Sequence, residues 1–106
     1  MPITKIDDFQ SFQAEIESAE RILVKFEADW CMPCRAMASI VEEVAKQYPD
    51  VKVVAVDIDG EGMEKALEKY KVKAVPTFVH LKSGTATKST SGTISKDELS
   101  TFLREE

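Results

Sequence analysis

The chain has 106 residues, 43% of them hydrophobic and 31% charged, which suits one compact domain spanning residues 1–106 and leaves no room for a second. A formal charge of -5 without any basic stripe sets aside nucleic-acid binding, which depends on clustered Lys and Arg. No stretch approaches the roughly 20 apolar residues that cross a bilayer, and Met1-Pro2-Ile3-Thr4-Lys5 carries no charged region followed by an apolar one, so a cytoplasmic protein with no membrane association is expected.

In chain order, a helix is expected from Asp7, where the Asp can cap and Phe9, Phe12 and Ile16 form an apolar stripe. Ile22 to Phe26 reads as a mostly buried strand. After Cys31-Met32-Pro33-Cys34, the residues Met37, Ile40, Val41, Val44 and Ala45 recur at helical spacing until Tyr48-Pro49-Asp50 ends the segment. The run Val51 to Ile58 is β-branched and nearly continuous in apolar character, as in a strand covered on both faces. Met63, Ala66, Leu67 and Tyr70 give a further helix stripe. Thr77 to Leu81 is a strand that turns near Lys82-Ser83-Gly84 and pairs with a more polar strand from Ala86 to Thr90. Ser95 and Glu98 make a capping box before a last helix whose inner face is Leu99, Phe102 and Leu103. The order is βαβαββα, with room for a short extra N-terminal strand. It implies a mixed α/β fold in which a central sheet is flanked by helices on both faces.

The two cysteines sit three apart where a strand gives way to a helix, so no disulfide framework outside the motif supports the fold. Positions i and i+3 at a helix entrance bring two sulfurs within bonding range. Unpaired N–H groups at the helix start favour a negative sulfur and should lower the Cys31 pKa below the roughly 8.5 of a free thiol. The pair is therefore equipped for thiol–disulfide exchange, with Cys31 as nucleophile and Cys34 as resolving thiol. Pro33 suits the first helical turn, while Met32 and Trp30 offer apolar surface to a docking chain. A zinc site needs four ligands, and His80, inside an apolar strand, is the only other soft donor, so no metal and no cofactor are expected. His80 receives no catalytic role. The acidic run Asp57 to Gly62 lacks the spacing of a calcium loop and reads as a strand end, a glycine turn and a negatively charged helix start.

The run Ala28-Asp29-Trp30-Cys31-Met32-Pro33-Cys34-Arg35 resembles the active-site run of the thioredoxin family, usually Trp-Cys-Gly-Pro-Cys-Lys. The resemblance extends over nearly the whole chain, through the element order, Val75-Pro76-Thr77, Lys82-Ser83-Gly84 and Gly92. It implies a cis peptide before Pro76, facing the cysteines, and a peptide groove bordered by Trp30, Met32, Pro33, Val75, Pro76 and Gly92. It also implies disulfide-containing protein substrates and reduction by a flavin-containing thioredoxin reductase that draws on NADPH. A monomer is expected.

The chain departs from the family in its proton-handling set. Lys25 stands where a buried Asp is usual, Glu27 where a Trp is usual, and Ala55 where a lysine often partners that Asp. On the plain reading, Lys25 is a strand residue whose stem packs and whose ammonium reaches water near Glu27 or Asp57. The alternative is a partly desolvated Lys25 that tunes the thiol pKa values. Two competing functions are a thioredoxin-fold binding module that needs no thiol chemistry, and an oxidase or isomerase with an unusually stable reduced state.

Overall fold

A computed structural model describes residues 3–104. The elements are β1 (Thr4–Asp8), α1 (Phe9–Glu15), β2 (Arg21–Glu27), α2 (Met32–Ala36), α3 (Ala38–Gln47), β3 (Val51–Glu61), α4 (Glu64–Lys69), β4 (Thr77–Lys82), β5 (Thr85–Ser91) and α5 (Lys96–Leu103). They build one five-stranded sheet in the order β1-β3-β2-β4-β5. β3 runs parallel to both β1 and β2, whereas β4 is antiparallel to β2 and to β5. The extra N-terminal strand is therefore present, as an edge.

Alternation along β2 divides the core into two halves. Ile22, Val24 and Phe26 face a cluster with Phe12 of α1, Met63 just ahead of α4, Ala66 of α4, and Val54 and Val56 of β3. Leu23 faces the other side, where Val41, Val44 and Ala45 of α3 meet Leu99 and Leu103 of α5. Arg21, Lys25 and Glu27 share that second side with Leu23, and Lys25 pairs in register with Ala55 of β3 and Phe78 of β4.

Several boundaries differ from the sequence reading. Asp8, not Asp7, caps α1, accepting the Ser11 amide at 2.7 Å; Asp7 is still part of β1. The helix after the cysteines is interrupted at Met37, which ends α2 and begins α3, so the expected stripe starts at this junction and runs through α3 alone. Met63 and Tyr70 flank α4 rather than lying inside it. β3 continues three residues past Ile58 to Glu61 because β1 slips register there, pairing Asp8 with Glu61. Gly60 permits that slip: a Cβ at this position would lie 2.3 Å from the Asp7 carbonyl oxygen. The Ser95–Glu98 capping box forms as the sequence indicates, Glu98 N–H donating to Ser95 Oγ at 3.1 Å and Ser95 N–H to Glu98 Oε1 at 2.9 Å.

Candidate active site

β2 ends at Glu27, and the chain passes through Ala28, Asp29 and Trp30 to reach Cys31, the N-cap of α2. A cysteine fits an N-cap because its sulfur can accept from the first helical amides, as Ser or Asp oxygens do elsewhere. The Cys34 N–H donates to Cys31 Sγ at 3.1 Å. Met32 and Pro33 fill the first two helical positions, where the missing N–H of Pro33 leaves no partner unsatisfied. Cys31 and Cys34 are joined as a disulfide with Cα atoms 5.3 Å apart. Both are buried, at 3% and 2% exposure, in a small cluster with Ala28 against which Ile58 and Val75 pack.

Trp30 and Met32 are the reverse, 66% and 67% exposed, the two large apolar side chains left open to solvent among the described residues. Trp30 is nevertheless held, since its indole Nε1 donates to Asp59 Oδ2 at 2.9 Å. The Val75–Pro76 peptide is cis, as the resemblance implies. Gly92 N–H donates to the Pro76 carbonyl at 2.8 Å, and Thr77 Oγ1 donates to the Ala74 carbonyl at 2.6 Å. The first bond ties the residue before β4 to the one after β5, and the second braces Ala74 against the start of β4. Gly92 has φ +91° with nothing within 4 Å of where a Cβ would stand, so its backbone conformation rather than crowding calls for glycine.

Behind the disulfide, on the α3 side of the sheet, a cavity of about 360 Å³ is lined by Cys34, Lys25, Glu27, Ala38 and Ala55 among others. Lys25 corrects the plain sequence reading. The residue is only 4% exposed, and its ammonium turns inward, donating to the Cys34 carbonyl at 2.8 Å and pairing with Glu27 at 3.0 Å. The expected neighbour Glu27 is its partner, and the small Ala55 beside it leaves the space for a lysine stem. At the opposite end of β2, Arg21 is equally buried. Its Nε donates to His80 Nε2 at 3.2 Å, its Nη1 to Asp50 at 3.0 Å and its Nη2 to the Leu103 carbonyl. His80 thus presents a bare Nε2 to Arg21 and its Nδ1 to Thr87 Oγ1 at 2.6 Å, in keeping with a structural histidine.

Sequence reasoning missed Asp59 and Ile58. Ile58 closes the segment first read as the whole strand and Asp59 lies just past it, in the continuation of β3 to Glu61. The Lys25–Cys34 contact was also out of reach, because no periodicity indicates which carbonyl an ammonium meets.

A sheet with parallel and antiparallel neighbours, covered on both faces and carrying a Cys-x-x-Cys disulfide at a helix entrance, defines a thiol–disulfide oxidoreductase. The family model for thioredoxin matches residues 3–105. The chain is 40% identical over 90 residues to an H-type thioredoxin of Fagopyrum esculentum, covering 85% of this chain and 75% of that protein. To thioredoxin 1 of Synechococcus elongatus it is 37% identical over 92 residues, covering 86% and 84%. Oxidised mitochondrial thioredoxin 3 from Saccharomyces cerevisiae superposes with a TM-score of 0.82 at 29% identity, covering 95% of this chain and 92% of that one. Plasmodium falciparum thioredoxin does so at 0.84 and 27%, covering 94% and 95%. The chain belongs to the thioredoxin family, and is a protein-disulfide reductase working through the dithiol–disulfide couple of Cys31 and Cys34.

Proposed function

We propose that Cys31 is the attacking thiol and Cys34 the resolving one. The Cys34 N–H aimed at Cys31 Sγ supports this order, because a thiolate is a far better acceptor than a disulfide sulfur and gains most from that donor. Cys31 thiolate attacks a substrate disulfide, forming one mixed S–S bond and releasing the first substrate thiol. Cys34 then attacks Cys31 Sγ, closing the internal disulfide and releasing the second thiol. Two electrons pass to the substrate, and the protein dithiol is oxidised.

The substrate surface is formed by Trp30, Met32 and Pro33 around the cysteines together with Val75, which packs against the cysteine cluster, Pro76 and Gly92. Exposed apolar groups beside a buried disulfide favour an extended polypeptide that brings its own disulfide in. The protein acts as a monomeric single domain in the cytoplasm, in the direction of net reduction, and is recharged by an NADPH-dependent flavoprotein thioredoxin reductase. The test is insulin reduction driven by a small dithiol, together with a Cys34→Ser variant. The wild type should accelerate turbidity and the variant should retain substrates as mixed disulfides; a wild type no faster than the dithiol alone would refute the reading.

A further inference from the structure

Lys25 is 4% exposed, and a lysine is an expensive residue to bury, tolerated only where opposite charge and acceptors surround its ammonium. The acceptors of Lys25 are specific: the carboxylate of Glu27 and the carbonyl of the redox-active Cys34 itself. Lys25 and Cys34 also line the same cavity, in which Cys31 takes no part. A fixed positive charge therefore stands on the Cys34 side of the disulfide.

We propose that Lys25 is a positioning residue for the resolving half of the exchange, its ammonium clamped between Glu27 and the first turn of α2 so that it stabilises the Cys34 thiolate, while Glu27 sets how much of that charge Cys34 feels. The inference rests on the resolving role given to Cys34 above. In the step concerned, Cys34 loses its proton and attacks Cys31 Sγ. The Cys31–Cys34 bond forms, the bond to the substrate sulfur breaks, and the departing substrate thiolate takes up a proton, so that charge and electrons balance. Only the anion of Cys34 can act, and its cost beside a low-dielectric cluster of Ala28, Ile58 and Val75 is what a nearby cation lowers.

The other charged groups around the cavity are Lys5 of β1, Asp29 before α2, Arg35 of α2 and Glu42 of α3; β3 presents only Val53 and Ala55. All four are solvent-exposed, where water and salt screen them. Arg35 is in addition turned to the Asp29 carbonyl at 2.8 Å. The Lys25–Glu27 pair is thus the charge least screened from Cys34.

The experiment is a site-resolved titration of the Cys34 Cβ signal by ¹³C NMR in reduced full-length protein, for wild type, Lys25→Met and Glu27→Gln. The pH dependence of substrate release from a preformed mixed disulfide is measured alongside. Lys25→Met should raise the Cys34 midpoint by about one pH unit or more, slowing release about tenfold at neutral pH. Glu27→Gln should move the midpoint the other way, since it removes the compensating negative charge. A folded Lys25→Met protein with an unmoved midpoint, or both variants shifting together, overturns the inference. Should Lys25→Met fail to fold, Glu27→Gln decides alone: a lowered midpoint supports the inference, and an unchanged or raised one overturns it. Failure of wild-type insulin reduction would instead strike the functional reading while leaving the titration legible.

Discussion

Strand β2 buries two cations four residues apart on one face, Arg21 and Lys25, and the fold holds them in different ways. Arg21 is anchored by groups spread over the chain: His80 of β4, Asp50 ahead of β3 and the carbonyl of Leu103 at the end of α5. It joins the sheet to the last helix, and none of these three partners takes part in the disulfide chemistry. Among the described residues Lys25 has nearby partners, Glu27 two residues on and Cys34 nine residues on, at the disulfide. One strand therefore supports assembly at one end and reactivity at the other, and substitutions along it should separate into those that change folding and those that change exchange.

The widest separation is expected from Cys34→Ser. Turnover should fall at least ~10³-fold, while the melting temperature hardly moves from that of the oxidised wild type, because a disulfide spanning so short a loop restricts the unfolded chain little. Arg21→Met should do the opposite. Leaving His80 and the Leu103 carbonyl without their donor should remove about 2–4 kcal/mol of stability, read by urea unfolding. Insulin reduction by the folded fraction should stay within twofold of wild type, and a larger loss would show that the two ends of β2 are coupled.

Gly60→Ala probes the β1–β3 slip, where the new methyl would collide with the Asp7 backbone. A loss of about 1–3 kcal/mol is expected, accompanied by weaker activity if the displaced end of β3 carries Asp59 away from Trp30. Trp30→Ala should lower kcat/KM for a protein substrate about tenfold, chiefly through KM, with stability unchanged. Asp59→Asn, which keeps an acceptor for the indole, should fall between Trp30→Ala and wild type.

The smallest effect concerns acid. Bonds from the Ser11 amide and hydroxyl hold Asp8 below the usual carboxylate range, the Ser95 amide does the same for Glu98, and Arg21 does so for Asp50. Each native group binds its proton less readily than in the unfolded chain. Its contribution is therefore complete above the ordinary carboxylate pKa and fades as the pH falls through the lowered native value. Asp8→Asn should flatten the fall of melting temperature between about pH 5 and 3 and leave the neutral value nearly unchanged.

Much of this was legible in the residues. The Ser95–Glu98 box, the alternation along β2 and the Cys-x-x-Cys at a strand-to-helix boundary each combine a local signal with a local outcome, so chain order sufficed. The misses share a different origin. The slip at Gly60 and the pairing of Trp30 with Asp59 depend on contacts between distant segments, which no window of sequence contains. Lys25 lies between these cases. Its neighbour Glu27 follows from strand geometry, but its burial depends on Ala55 across the sheet and on where α2 starts, so a reading from one strand leaves the ammonium in water.

The outermost strand, β5, has no buried residue along its seven positions, and Thr90 alone is half covered. A second molecule pairing with that edge would find backbone hydrogen bonds but no greasy surface to hold it, and it would meet the charge of Lys88. This rim therefore gives a passing copy of the chain little to grip beyond bare peptide groups.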